Sequence, residues 1–193
     1  ADGKVTWSDT ETELTTVENG QIVLTAIPNG TYTVTETGVP EGYLLTGTVS
    51  GADDVTASTQ GALSGQVTLG TLEKKTITFA NEKKPALTFT KSVQGTVSGE
   101  FTFELYKANA DGTAPEGSSL GSQTVTNGQS ATFTVDAAGQ YFLKETAWPV
   151  GVIAPNLIHT QSGNGVYVDD EGGVYYGPYT LENDETETQT ITN

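Results

Sequence analysis

The chain has 193 residues, with 24 acidic residues against 8 lysines, no arginine and a net charge of −16. That balance argues against nucleic acid and anionic membrane surfaces, both of which need basic patches. With no cysteine there is no disulfide, thiolate metal site or thiol nucleophile, and no apolar run approaches the ~20 residues of a membrane span.

No basic-then-apolar leader opens the chain, which is expected to be a mature or excised piece. Threonine interleaved with valine, tyrosine and phenylalanine favours strands. Asn-Gly pairs at Asn19-Gly20, Asn29-Gly30, Asn127-Gly128 and Asn164-Gly165 are hairpin signals between alternating segments. No long stretch has helical period. The chain is expected to be all-β, built from short antiparallel strands in two sandwiches.

In chain order, Ala1-Asp2-Gly3 reads as a turn. Lys4 alternates with Val5 and Trp7, so its side chain is expected to point outward. Tyr32, Val34 and Glu36 share one face of a strand, and so do Ile77, Phe79 and Asn81. Glu82-Lys83-Lys84-Pro85 is a charged run ending in a proline and marks a boundary, giving domains 1–83 and 84–193. Beyond it Leu87, Phe89 and Lys91 share a face, then Tyr141, Leu143 and Glu145, then Ile191 and Asn193.

The two halves repeat. Ala1-Asp2-Gly3 matches Ala110-Asp111-Gly112, Thr35-Glu36-Thr37 is answered by Lys144-Glu145-Thr146, and the strand ending at Asn81 mirrors the one ending at Asn193. The second half has a leading segment, Pro85 to Asn109, for which the first has no counterpart. The first domain is therefore expected to lack roughly its opening two strands, and its Glu36 and Asn81 have no partner lysine. The second half also carries an insertion, residues 156–178, with a probable hairpin of Val166-Tyr167-Val168 and Val174-Tyr175-Tyr176.

Lys91, Glu145 and Asn193 thus aim an amine, a carboxyl and an amide into one core. Polar groups are rarely placed there without a partner. One reading is a buried hydrogen-bonded ion pair with an amide neighbour. The other is a self-made Lys–Asn amide. Burial disfavours both charges, giving a neutral amine beside a neutral acid. Lys91 can then attack the Asn193 side-chain carbonyl, while Glu145 hydrogen-bonds that oxygen and moves the proton to the departing ammonia. This reaction needs no cofactor and no metal, and it turns over once, so the chain is not expected to be an enzyme in the usual sense.

Gly30-Thr31-Tyr32-Thr33-Val34-Thr35-Glu36-Thr37-Gly38-Val39-Pro40-Glu41-Gly42-Tyr43 and Tyr141-Phe142-Leu143-Lys144-Glu145-Thr146-Ala147-Trp148-Pro149 resemble the Y-x-(L/V)-x-E-T-x-x-P-x-G-Y box of collagen-adhesin B-type (Cna B-type) repeats and related Gram-positive pilin domains. The second copy departs from the box after its proline. Leu87 to Lys91 resembles the family's first strand with its reactive lysine. The segments ending at Asn81 and Asn193 resemble its closing strand with the acceptor asparagine.

The resemblance implies transthyretin-like (prealbumin-like, Ig-like) β-sandwiches, with Lys91 as nucleophile, Asn193 as acceptor and Glu145 as proton shuttle. It also implies a stalk module of a cell-wall-anchored surface adhesin or pilin of a Gram-positive bacterium. Expected partners are neighbouring domains of the same protein; the first domain's missing strands read as truncated or cleaved away, the alternative being a strand supplied in trans. These 193 residues hold no sorting signal or pilin motif, and both have room to lie outside them. An alternative role is host matrix-protein or glycan binding through the tyrosines of the insertion, Tyr167, Tyr175, Tyr176 and Tyr179, although such residues more often pack a hairpin onto its own sheet. The lone His159 has no catalytic surroundings. Acidic clusters at Asp53-Asp54, Asp169-Asp170-Glu171 and Asn183-Asp184-Glu185 lack EF-hand spacing and read as solvated turns.

Overall fold

Alternating apolar and threonine-rich segments fold as strands almost throughout. The structure, a computed structural model, describes residues 2–7, 10–15, 20–24, 27–45, 47–57 and 62–193. It divides into two units, residues 1–83 and 84–193.

In the first unit β1 (Asp2–Trp7), β2 (Thr10–Thr15), β3 (Gly30–Thr35), β5 (Asp54–Ala57) and β6 (Leu63–Leu69) form one sheet in the order β2-β1-β3-β6-β5. A separate antiparallel pair joins β4 (Thr48–Ser50) to β7 (Thr78–Ala80). The layers meet closely at Gly65 of β6, where an added Cβ would lie 3.0–3.1 Å from Val49, Ala52 and Ile77. Only a glycine lets the two sheets approach so near at that point.

In the second unit β9 (Glu100–Ala108), β10 (Pro115–Thr126), β12 (Gly139–Ala147), β13 (Val166–Val168) and β14 (Val174–Leu181) form a sheet in the order β10-β9-β12-β14-β13. The facing sheet is β11-β8-β15, from β8 (Ala86–Ser92), β11 (Ser130–Thr134) and β15 (Thr186–Thr192), with α1 (Pro155–Ile158) in the insertion. β15 runs parallel to β8, with Ile191 opposite Lys91. Leu87, Phe89, Phe133 and Ile191 of one sheet pack on Phe101, Phe103, Leu105 and Leu143 of the other. The Phe89 and Phe103 ring centroids are 4.6 Å apart.

The two five-stranded sheets share one plan, and it corrects two expectations. Asp2 and Gly3 are strand residues of β1, opposite Thr15 and Leu14, whereas Ala110-Asp111-Gly112 is a turn closed by the Gly112 N–H on the Asn109 carbonyl. β1 stands beside β3 with Lys4 opposite Thr35 and Val5 opposite Val34, so it fills the place of β9. Pairing there satisfies the edge of β3, which would otherwise expose a row of unpaired backbone groups. Among the described residues no strand of the first unit occupies the places of β8 and β11. The side chain of Lys4 lies outside the described residues.

Period-two alternation holds along β8, where Leu87, Phe89 and Lys91 are buried. Along β12 it is incomplete. Phe142 is buried on the outer face beside Tyr175, with Tyr106 and Tyr167 packed against them. That second apolar layer exists because β13 and β14 lay their tyrosines over the sheet. Opposite Tyr141 and Leu143 the register of β14 slips by one residue at Gly177-Pro178, so that Tyr176, Tyr179 and Leu181 all turn toward the core.

Candidate functional site

Lys91 sits on the central strand of the three-stranded sheet and Glu145 on the central strand of the five-stranded sheet. Central strands on facing layers leave no route to solvent, and Lys91 is 0% and Glu145 4% exposed. Lys91 Nζ donates to Glu145 Oε2 at 3.3 Å. Asn193 follows directly on β15. Its backbone N–H donates to the Ser92 carbonyl at 3.2 Å, which anchors it two positions past Ile191, the residue opposite Lys91. Its Nδ2 donates to Glu145 Oε1 at 3.4 Å and faces the Ile153 carbonyl at 3.5 Å. One carboxylate therefore holds the amine on one oxygen and the amide on the other.

The walls are aromatic. Lys91 Nζ lies 4.8 Å from the Phe101 ring centroid and 5.8 Å from that of Phe103. Burial pushes the Lys91 ammonium below its ordinary pKa, and the Glu145 carboxylate opposes this only in part. Burial likewise pushes Glu145 above the usual carboxylate range, against the Lys91 charge and the hydrogen bonds from Asn193 and Lys91. Both shifts favour the neutral forms, an amine able to act as nucleophile beside an acid able to give a proton.

The sequence-derived trio is thus brought together, with one change of role. Glu145 faces the amide nitrogen of Asn193, the group that would leave, and not its carbonyl oxygen. Asn193 Oδ1 is buried and has no hydrogen-bond partner. Nor does the hydroxyl of Tyr176, which is also buried. Tyr176 was hidden among the insertion's tyrosines. The signal that could have separated it is the Val174-x-Tyr176 alternation, which places it with the core.

The first unit keeps half of this site. Asn81 Nδ2 donates to Glu36 Oε1 at 3.0 Å, both residues being half-buried. Among the residues whose side chains the structure describes, no ammonium pairs with Glu36. The insertion's tyrosines pack inward or onto the sheet. Tyr175 and Tyr176 are buried, and Tyr167 rests on Phe142 and Tyr175. The acidic clusters do local work: Asp53 binds Lys75 and the Thr68 N–H, and Asp169 accepts the N–H groups of Glu171 and Gly173 in its own turn. His159 ends α1 and sets its ring edge-on to Tyr176 at 5.8 Å. Among the described residues no helix is long and apolar enough to cross a membrane.

Comparison with known proteins gives a family match at the chain's start. Residues 1–63 match the model of the SpaA prealbumin-like fold domain. No curated protein matches the sequence. Two solved structures are similar at low identity. One is the Bacillus anthracis TIE protein, 21% identical, with 99% of this chain and 30% of that one covered and a TM-score of 0.33. The other is GBS52, the minor pilin of the Gram-positive pathogen Streptococcus agalactiae, 17% identical, with 96% and 68% covered and a TM-score of 0.32. The chain thus spans under a third of the length of the TIE protein. The first third of the chain thus matches the SpaA prealbumin-like fold family.

Proposed function

We propose that the chain is a structural stalk module of a Gram-positive cell-surface adhesin or pilin, whose second unit welds itself through an amide between Lys91 and Asn193. The observation that carries this reading is the pair of contacts on one buried carboxylate, Lys91 at 3.3 Å and Asn193 at 3.4 Å. The ion pair and its neutral form share one proton. In the neutral form Lys91 Nζ attacks Asn193 Cγ and forms the C–N bond. Its surplus proton passes through Glu145 to Nδ2, the C–Nδ2 bond breaks and ammonia leaves. Folding contributes the near-contact geometry, so the reaction runs once and without a cofactor.

Strand direction supports a mechanical role. β8 opens the unit, β15 closes it, and the two are parallel neighbours. A bond between their C-terminal ends lets tension pass from β8 to the end of β15 without loading the segment between. Closing a loop of about 100 residues also stabilises by about 4.7 kcal/mol in the chain-entropy model used for disulfides. In a chain without cysteine this gives a staple that reducing agents do not open. On this reading the partners are adjoining domains of the same surface protein. The edge of β7 that no described strand pairs is a seat for a lysine-bearing strand supplied in trans.

The deciding measurement is the intact mass of denatured protein. The expected result is a species lighter than the sequence by one ammonia, with Lys91 and Asn193 joined in a single branched peptide after digestion. Full mass for the folded wild-type chain would overturn the proposal.

A further inference from the structure

Resting on that reading, the geometry points to Tyr176 as the hydrogen-bond donor that receives the negative charge on Asn193 Oδ1 during amide formation. The attack turns a carbonyl oxygen into an oxyanion, and a buried oxyanion needs a donor. Glu145 does not supply it, because its two oxygens face Lys91 Nζ and Asn193 Nδ2. The Asn193 oxygen is left buried and unpaired.

The Tyr176 hydroxyl is a buried donor with no acceptor, in the same core. Strand register brings it to the site. Tyr176 stands opposite Leu143, two residues before Glu145 on the same face of β12, and a long aromatic side chain reaches such a diagonal neighbour. Burial holds the pKa of this phenol above its ordinary value, so it remains a proton-bearing donor. Between β12 and β13, the 152–159 segment touches both ends of the arrangement. The Ile153 carbonyl faces Asn193 Nδ2, and the His159 ring meets the Tyr176 ring edge-on.

Two unpaired buried polar atoms are costly in the unreacted fold. A donor and an acceptor left idle before reaction and matched during it stabilise the transition state over the ground state. The balanced step is attack of neutral Lys91 Nζ on Asn193 Cγ, with the carbonyl π pair moving onto Oδ1 and held there by the Tyr176 O–H. Collapse of that pair reforms the carbonyl and expels Nδ2, which leaves as ammonia with the proton delivered by Glu145. Tyr176 keeps its proton throughout.

The test is the rate of ammonia loss by the full chain in timed cell-free synthesis, stopped into denaturant and read by intact mass. Tyr176→Phe keeps the ring and removes only the hydroxyl. The expected result is crosslinking slowed by about 100-fold, the usual scale for loss of one oxyanion donor, with an unchanged thermal midpoint in the crosslinked product. An unchanged rate would overturn the role of Tyr176 while leaving the crosslink standing. Wild-type chain that never loses ammonia would overturn the crosslink itself. Should Tyr176→Phe lack a native near-ultraviolet spectrum, fluorotyrosines placed at position 176 decide the matter. A rate that follows phenol acidity supports the donor, and a flat series refutes it.

Discussion

The two units carry the same carboxyl–amide contact in different states. In the first, Asn81 reaches Glu36 at 3.0 Å, half-buried and with no ammonium beside it among the side chains the structure describes. In the second, a part-buried Asn193 reaches Glu145 at 3.4 Å, and a fully buried Lys91 occupies the carboxylate's other oxygen. The contrast separates placement from reactivity. A central strand and a closing strand suffice to bring acid and amide together. A third strand between β11 and β15 is what delivers the amine and shuts out water, and both are needed to displace the two pKa values.

The largest expected effect breaks the second unit's side of this comparison. Lys91→Ala should restore full mass and strip the unit of its staple, about 4.7 kcal/mol. It also leaves Glu145 as a lone buried carboxyl, a change that costs about 3–5 kcal/mol when the charge stays uncompensated. Calorimetry should show the second unit's transition moving far down in temperature. Asn81→Ala and Glu36→Ala, by contrast, should leave the ammonia deficit untouched. If either one removed it, the reactive site would have been assigned to the wrong unit.

Phe101→Ala comes next, opening the wall 4.8 Å from the amine. A core deletion of this kind costs about 3–5 kcal/mol, and water reaching Lys91 should restore its charge and slow crosslinking beyond what the fold loss explains. Denaturant melts paired with timed mass measurements distinguish the two contributions.

A pH series sharpens the comparison without a mutation. Burial lowers the Lys91 pKa and raises that of Glu145. The reactive state holds one proton between them. As pH falls, a second proton makes Lys91 an ammonium beside a neutral acid, and the rate drops. As pH rises, Glu145 loses the proton that ammonia must carry away, and the rate drops again. The expected profile of crosslinking rate is a bell lying between the ordinary carboxylate and ordinary lysine ranges. A rate that climbs without limit toward alkaline pH would remove Glu145 from the proton path.

The smallest effect belongs to the first unit. Asn81→Ala removes one half-buried hydrogen bond and should cost about 0.5–1.5 kcal/mol in that unit's unfolding, with the second unit's transition unmoved. A loss several times larger would mean that the Glu36–Asn81 contact organises the unit, not merely decorates it.

Much of this was legible in residue order, because strand geometry has a period of two that needs no partner to be read. Leu87-x-Phe89-x-Lys91 and Tyr141-x-Leu143-x-Glu145 aim their last side chains inward whatever packs against them, so the sequence alone determined the all-β class, the two-fold repeat and the inward-facing trio. Tertiary structure decided what alternation cannot see. It seated β1 in the place of β9, because an open edge of β3 seeks a partner. It buried Phe142 on the nominally outer face beneath tyrosines from β13 and β14. Through a one-residue slip at Gly177-Pro178 it turned Tyr179 as well as Tyr176 inward. It also set which oxygen of Glu145 faces which nitrogen, leaving Asn193 Oδ1 and the Tyr176 hydroxyl unpaired in the same core. Those outcomes depend on register, on contacts between distant segments and on side-chain orientation, and none of the three is encoded in local spacing.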